Sequence, residues 1–386
     1  MYTYFGDYPS DLSLNMALDM GASLDEIDRV CNPLVRASFA SEAAATSAFF
    51  SAWVEGGQRL YDAAQADEQA GHLLSASAKY RRACIMTLTG ERMLPHADPE
   101  RHRAYDMVLD SFRRYVETGR VKCEFVQVPY GDSYLPALFV GASSPGPSPA
   151  MVHFNGLDGI KEFLYFSGIG NAMADRGVSM LIVDNPGVGE ALRKLNLHNS
   201  AEAEIPAAAC IDYLEGRSDV DPDRIGFIAL SLGGFHAVRA PAFEPRIKCS
   251  IAWGANFDWG RAMRDRVAGG GNQKSVPHFF EHVMWVLGAE TIDEVLKIAE
   301  GFTLENVAEK VTVPILIVHG EKDIQVPVEK ARMTYEACVN SPARTLRIFT
   351  AEEGGEQHCQ IGNMNIGVDF MADWASDVLH QTFSTN

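Results

Sequence analysis

Hydrophobic and polar positions along the chain follow two rhythms, and the change falls near Gly119. Up to that point the pattern is helical. Ala, Leu, Glu, Gln and Arg dominate from Ser41 to Gly119 and Pro is rare. Tyr105, Val108, Leu109, Phe112 and Val116 recur at helical spacing and form one apolar stripe. Gly71 to Gly90 is a second such segment and ends in Gly, as helices often do. Residues 1–120 are therefore expected to form a helical N-terminal domain.

After Gly119 the period shortens. Val121–Pro129 and Tyr134–Val140 read as two strands joined by the hairpin signal Tyr130-Gly131-Asp132-Ser133. Short apolar runs then alternate with helical stretches. The runs are Ala150–Phe154, Val178–Asp184, Ile225–Leu230, Ile247–Trp253, Val313–His319 and Thr345–Thr350. Helices are expected near 162–175, 203–216, 232–240, 328–339 and 366–381. Continuously apolar strands separated by amphipathic helices predict a mostly parallel sheet covered on both faces, an α/β class, over 121–386. One interval breaks the alternation. About 60 residues separate Trp253 from Val313, where a single helix would suffice. A lid-like insert is expected there, over about 255–300.

Composition narrows the classes. The 386 residues are 47% hydrophobic and 22% charged, ordinary for a globular protein. The formal net charge of -18 argues against nucleic acid and against anionic membrane surfaces, both of which call for Lys and Arg. No apolar run approaches the roughly 20 residues of a membrane-spanning helix. The N-terminus lacks the basic and apolar regions of a signal peptide, so the cytoplasm is the expected location. Seven cysteines without a CxxC pair predict reduced, buried thiols. No HExxH, paired CxxC or EF-hand pattern occurs, and neither metal nor cofactor is expected.

The sharpest chemical signal is Ile225–Gly234, IGFIALSLGG. An apolar strand runs into Ser231, flanked by Ala229 and Gly233 two residues to either side. This is the small-x-Ser-x-Gly arrangement of a nucleophile elbow. The flanking positions lie too close to the tight turn for large side chains, and the serine arrives at the N-terminus of the next helix. A serine hydroxyl needs a base, and in this arrangement an acid and a histidine follow it in chain order. Asp323, after the strand ending at His319-Gly320, is the expected acid, with Glu321 competing. His319 is expected to pack at the strand end. His358 is the one histidine in the loop after the following strand, whereas His380 lies late in the last helix. An oxyanion hole would draw on the backbone N–H of Leu232 and, from the loop after Ala150–Phe154, that of Leu157 behind Gly156. Asp184–Glu190, DNPGVGE, lacks the spacing of a phosphate-binding loop and reads as a tight turn.

Gly156–Glu162 (GLDGIKE), Asp184–Glu190 (DNPGVGE), Ser231–Gly234 (SLGG), Glu244-Pro245-Arg246, Ile251–Gly254 and the loops of Asp323 and His358 together carry a resemblance. Over about residues 120–380 the chain resembles the α/β-hydrolases typified by 2,6-dihydroxypseudooxynicotine hydrolase and, more loosely, by fungal hydrolases that shorten polyketide chains in melanin biosynthesis. The chain has Asn155 where the group commonly has a second Gly, and residues 254–274 match nothing in it. The resemblance implies an α/β-hydrolase fold with a helical domain over the active-site mouth. It implies hydrolysis of a carbon–carbon bond beside a ketone, in an acyl-aromatic or polyketide-type small molecule, by way of an acyl-serine, and a homodimer. Ester hydrolysis uses the same machinery, so a carboxylesterase, lactonase or acyltransferase without carbon–carbon activity is the alternative. A non-catalytic binding protein on the same fold is the third reading. Asp158, Lys161, Glu162, Trp253 and Asp258 are candidates for the substrate pocket, without assigned roles.

Overall fold

The computed structural model describes residues 1–269 and 274–380. These fall into two compact units, one of residues 1–123 with 274–282, the other of 124–269 with 283–380.

Five helices build the first unit: α1 (Tyr8–Asp19), α2 (Leu24–Arg36), α3 (Glu42–Gln69), α4 (Leu73–Glu91) and α5 (Pro99–Gly119). Their starts are written in the sequence. Asp7, Ser41 and Asp98 accept from the backbone N–H groups of Ser10, Ala44 and Glu100, and α5 has Pro99 in its first turn. Along α5, Tyr105, Val108, Phe112 and Val116 of the stripe are buried, whereas Leu109 is half-buried. The Arg101–Glu91 ion pair is buried at 2.9 Å, and Arg101 also donates to the Leu94 carbonyl at 2.9 Å. Residues 274–282 join this unit through polar contacts. Arg92 donates to the Ser275 carbonyl at 3.2 Å, and the Arg101 guanidinium lies 3.3 Å from the His278 ring.

The second unit holds one eight-stranded sheet. Its strands are β1 (Glu124–Tyr130), β2 (Ser133–Val140), β3 (Ser148–Phe154), β4 (Ser179–Val183), β5 (Val220–Leu230), β6 (Ser250–Trp253), β7 (Ile315–Gly320) and β8 (Arg344–Phe349). The spatial order is β1-β2-β4-β3-β5-β6-β7-β8. β1 and β2 run antiparallel, and every pair from β4 to β8 is parallel. β3, β4, β6 and β7 are buried along their whole length. That is why they read as unbroken apolar runs rather than alternating ones. β8 is an edge strand and stays half-buried.

The helices of this unit are α6 (Lys161–Phe166), α7 (Ile169–Asp175), α8 (Gly189–Arg193), α9 (Glu204–Glu215), α10 (Gly233–Phe243), α11 (Trp259–Val267), α12 (Phe279–Leu287), α13 (Ile292–Ala299), α14 (Val328–Ala337) and α15 (Met364–His380). α12 begins in residues that pack with the first unit. The helix expected at 162–175 is two, because Gly168 takes a left-handed φ of 85° and restarts the chain. β5 starts five residues earlier than its apolar run, since Val220 pairs with Ser148. β6 is shorter than its run and begins only at Ser250. The insert expected over 255–300 carries α11, α12 and α13, with residues 270–273 outside the described set, as is residue 381 of the last expected helix. All seven cysteines are free thiols. No described helix is long and apolar enough to cross a membrane.

Candidate active site

The ends of β3, β5, β6 and β7 converge on Ser231. β5 delivers the serine, which adopts a left-handed φ of 61°, and α10 begins two residues later. That conformation is costly for a residue with a side chain and is held by its surroundings. The Ser231 N–H donates to the Trp253 carbonyl at 2.7 Å. Neighbouring positions must be small. A Cβ on Gly156 would lie 2.7 Å from the Ser231 Cβ, one on Gly233 2.8 Å from the Ala229 Cβ, and one on Gly234 2.3 Å from the Gly254 carbonyl oxygen. The small residues around the serine thus follow from close backbone approach on three sides.

His358 and Asp323 complete a chain of hydrogen bonds. The Ser231 Oγ is 2.8 Å from His358 Nε2, and His358 Nδ1 is 2.6 Å from Asp323 Oδ2. A carboxylate only accepts, so Nδ1 carries the proton and Nε2 is left to accept from the serine hydroxyl. The second oxygen of Asp323 accepts from the backbone N–H groups of Gln325 and Val326, at 2.8 and 2.9 Å. Burial pushes the Asp323 carboxyl up, but the His358 ring, His319 and the Val326 amide more than offset it and hold the group below its usual range. Burial pulls the His358 ring down, and the Asp323 carboxylate outweighs it, so the ring sits well above its usual 6.5.

The competing residues are elsewhere. Glu321 is exposed and accepts from the Ala351 N–H at 2.7 Å. His319 is fully buried at the end of β7, where its Nε2 donates to the Val326 carbonyl at 2.8 Å; burial lowers its pKa. His380 bonds within its own helix, to the Ser376 carbonyl at 2.9 Å.

The histidine loop is fastened by residues that the sequence did not single out for this. Cys359 and Gln360 both take left-handed conformations, at φ of 50° and 58°. The Trp253 indole N–H donates to Gln360 Oε1 at 2.7 Å, and the Cys359 thiol donates to the Trp253 carbonyl at 3.5 Å. One carbonyl oxygen, that of Trp253, therefore receives both the serine turn and the histidine turn. Trp253 was a pocket candidate; it is fully buried beneath the site.

The loop after β3 lies against the serine. Besides its Cβ clash, a side chain on Gly156 would come within 3.2 Å of the Ser231 Oγ. Leu157 follows it and is buried. On the other side, Leu232 leads into α10, and its N–H makes no backbone hydrogen bond among the described residues.

The remaining pocket candidates have structural partners. Asp258 caps α11, accepting from the Arg261 N–H at 2.8 Å. Asp158 is half-buried in the loop after Leu157. Lys161 and Glu162 are buried in an ion cluster in which the Lys161 ammonium lies 2.8 Å from Glu162, 3.0 Å from Asp184 and 2.5 Å from Glu190. One cation faces three carboxylates. Burial raises the Glu162 carboxyl, with Asp184 and Glu190 adding to the effect against the pull of Lys161, from an ordinary 4.5 to about 7. A carboxyl whose folded pKa is raised contributes stability that is whole below about 4.5 and is lost as pH rises toward about 7. Glu162→Gln keeps an oxygen for Lys161 without the charge. Its Tm is expected to match the native chain at pH 5 and to exceed it at pH 8; equal Tm values at both pH values would count against the raised carboxyl.

With this geometry in place, the comparisons with known proteins decide the family. Residues 165–382, more than half of the chain, match the Peptidase S9 model, described as the prolyl oligopeptidase family. The chain belongs to the prolyl oligopeptidase family. It is a hydrolase of that serine-hydrolase group, on an α/β-hydrolase fold. Within this setting it is 29% identical over 240 residues to 2,6-dihydropseudooxynicotine hydrolase of Paenarthrobacter nicotinovorans, a match covering 61% of this chain and 59% of that protein. It is 26% identical over 377 residues to Hydrolase LUC6 of a Fusarium species, covering 85% of this chain and 87% of that one. The crystal structure of 2,6-dihydroxy-pseudo-oxynicotine hydrolase has a TM-score of 0.76 to it at 22% identity, over 95% of this chain and 96% of that chain. The resemblance to this group of hydrolases, expected from the glycine motifs, is thereby established.

Proposed function

We propose that the chain hydrolyses a carbon–carbon bond beside a ketone in a small acyl-aromatic or polyketide-type substrate, through an acyl enzyme on Ser231. The observation that carries a serine mechanism is the unbroken chain from Ser231 Oγ through His358 to Asp323, at 2.8 and 2.6 Å. The bond type rests on the relatives, one of which is named as a pseudooxynicotine hydrolase.

In this reading His358 Nε2 takes the hydroxyl proton as Ser231 adds to the substrate ketone. The N–H groups of Leu232 and Leu157 stabilise the resulting alkoxide, and a single such donor is worth about 3 kcal/mol of barrier. The alkoxide then collapses to the acyl-serine. The electron pair of the broken carbon–carbon bond passes to the ring or enolisable fragment, which is protonated at carbon. Water, deprotonated by His358, finally hydrolyses the ester and restores Ser231. Asp323 keeps the ring in the tautomer this requires and stabilises its charged form. A homodimer and a cytoplasmic location belong to the same proposal, the first on the resemblance and the second on composition.

Two measurements test the reading. A fluorophosphonate probe is expected to label Ser231 in the folded protein; failure to label it removes the serine mechanism. A panel of acylphenols and aryl esters of matched size then separates the bond types. Turnover of the acylphenols, releasing the phenol and a carboxylic acid, is the expected result. Turnover confined to the esters would leave a carboxylesterase and overturn the carbon–carbon assignment.

A further inference from the structure

The two glycine-rich turns at the ends of β3 and β4 are bonded to one another, and the bonds are at both ends of the loop that touches Ser231. At its start, the Asn155 N–H donates to Asn185 Oδ1 at 2.8 Å. At its finish, the Lys161 N–H donates to Asp184 Oδ1 at 2.8 Å. Two consecutive residues thus grip the backbone of residues 155–161 from outside. Both are buried.

The grip is itself fixed. The other oxygen of Asp184 accepts from the Lys161 ammonium at 3.0 Å and from the Glu190 N–H at 2.9 Å. Gly189 makes room for it, since a Cβ there would fall 1.9 Å from the Asp184 Cγ at a φ of 50°. A Cβ on Gly159 would likewise fall 2.2 Å from the Asn155 Oδ1. Between the two anchor points lies Gly156, pressed on Ser231, and then Leu157. The tight turn DNPGVGE is therefore a mould for the loop before it.

We propose that Asp184 and Asn185 are positioning residues, which hold the backbone of 155–161 so that the Leu157 N–H faces the oxygen developing next to Ser231. The inference rests on the proposed serine mechanism and adds to it the origin of one oxyanion donor. Backbone N–H groups act in a transition state only if their direction is set beforehand, because reorienting them during the reaction would cost much of what they contribute. A loop whose two ends are bonded to adjacent residues of a buried turn has little freedom to reorient.

The test uses Asn185→Ala in the full chain, with active sites counted by fluorophosphonate labelling. Per labelled site, kcat is expected to fall about 10- to 100-fold while KM stays within about twofold. The Ki of an aryl trifluoromethyl ketone, which forms a tetrahedral adduct on the serine, is expected to rise by a similar factor. A residue serving stability alone would reduce the labelled fraction or the Tm and leave kcat per site and Ki unmoved. Values of kcat per site and Ki within twofold of the native enzyme, or a change in KM alone, overturn the proposal. Should the alanine variant not fold, Asn185→Ser gives the same readout; its hydroxyl ends about one bond length short of the amide oxygen it replaces and so weakens the bond to the Asn155 N–H, and kcat per site is expected to fall at least about threefold. Retention of turnover by Ser231→Ala would instead strike the serine mechanism, so the two failures are distinguishable.

Discussion

Ser231→Ala is expected to lower kcat by roughly 10⁵- to 10⁶-fold with the fold intact. The size follows from how the three side chains are linked. The Ser231 hydroxyl faces His358 Nε2 in the chain of bonds at 2.8 and 2.6 Å, so without it the histidine and aspartate have no nucleophile to activate. In the proposed mechanism, what survives is the contribution of the oxyanion donors and of substrate binding, which in such a site exceed the reaction in water by about 10³ to 10⁴. Alanine also fits the site. It is smaller than serine, keeps the same backbone N–H for the Trp253 carbonyl, and leaves Gly156 and Gly254 their close approaches. The left-handed φ of 61° costs alanine about what it costs serine, so Tm should change little. Steady-state turnover on the acylphenol panel, with circular dichroism for the fold, checks the pair of expectations. Residual turnover within 100-fold of the native enzyme would mean that another group attacks the substrate.

The sequence carries this site unevenly, and the reason is the distance over which each constraint acts. The elbow is local. The small residues at Ala229, Gly233 and Gly234 are demanded by a turn only a few residues long, so IALSLGG reads directly as strand, serine, helix. The position of Asp323 is legible because it follows β7, a buried parallel strand that reads as an unbroken apolar run, and that of His358 because it is the one histidine in the loop after the half-buried edge strand β8. By contrast the fastening of the histidine loop runs between Trp253 and Gln360, which are 107 residues apart. Neither residue type announces such a bond, and no helical or strand period predicts two successive left-handed residues at Cys359 and Gln360. The grip of Asp184 and Asn185 on residues 155 and 161 is of the same kind, although there the signal was partly visible. DNPGVGE needs a reason for Gly189, and the reason is the Asp184 carboxylate standing where a side chain would be. Lys161 and Glu162 show a different scale of constraint. Charged residues in the loop after β3 are candidates for substrate contact from sequence, and the structure buries and pairs them in an ion cluster with Asp184 and Glu190.

Asp323→Asn should cost about 10⁴-fold in kcat and also move the pH profile, and the direction of that movement is the more discriminating result. The amide of asparagine can donate to His358 Nδ1, which shifts the ring proton to Nε2 and removes the lone pair that accepts from Ser231. The rate falls because the wrong tautomer prevails. The pH dependence follows from the ring's charge. His358 must be neutral to take the serine proton, so activity is lost as pH falls through its pKa. In the native chain the Asp323 carboxylate outweighs burial and holds that pKa well above 6.5, so the acid limb of kcat/KM is expected above pH 6.5. With the carboxylate gone, burial is left as the main influence, and it disfavours the charged ring. The acid limb of the Asn variant should therefore lie at lower pH than that of the native enzyme, on a plateau lowered by four orders of magnitude. Glu321→Gln serves as the control, since Glu321 is exposed and bonded to the Ala351 N–H, and its profile is expected to overlie the native one. An acid limb unmoved by Asp323→Asn, or moved by Glu321→Gln, would assign the titrating group to a different pair of residues and with it the acid of the reaction.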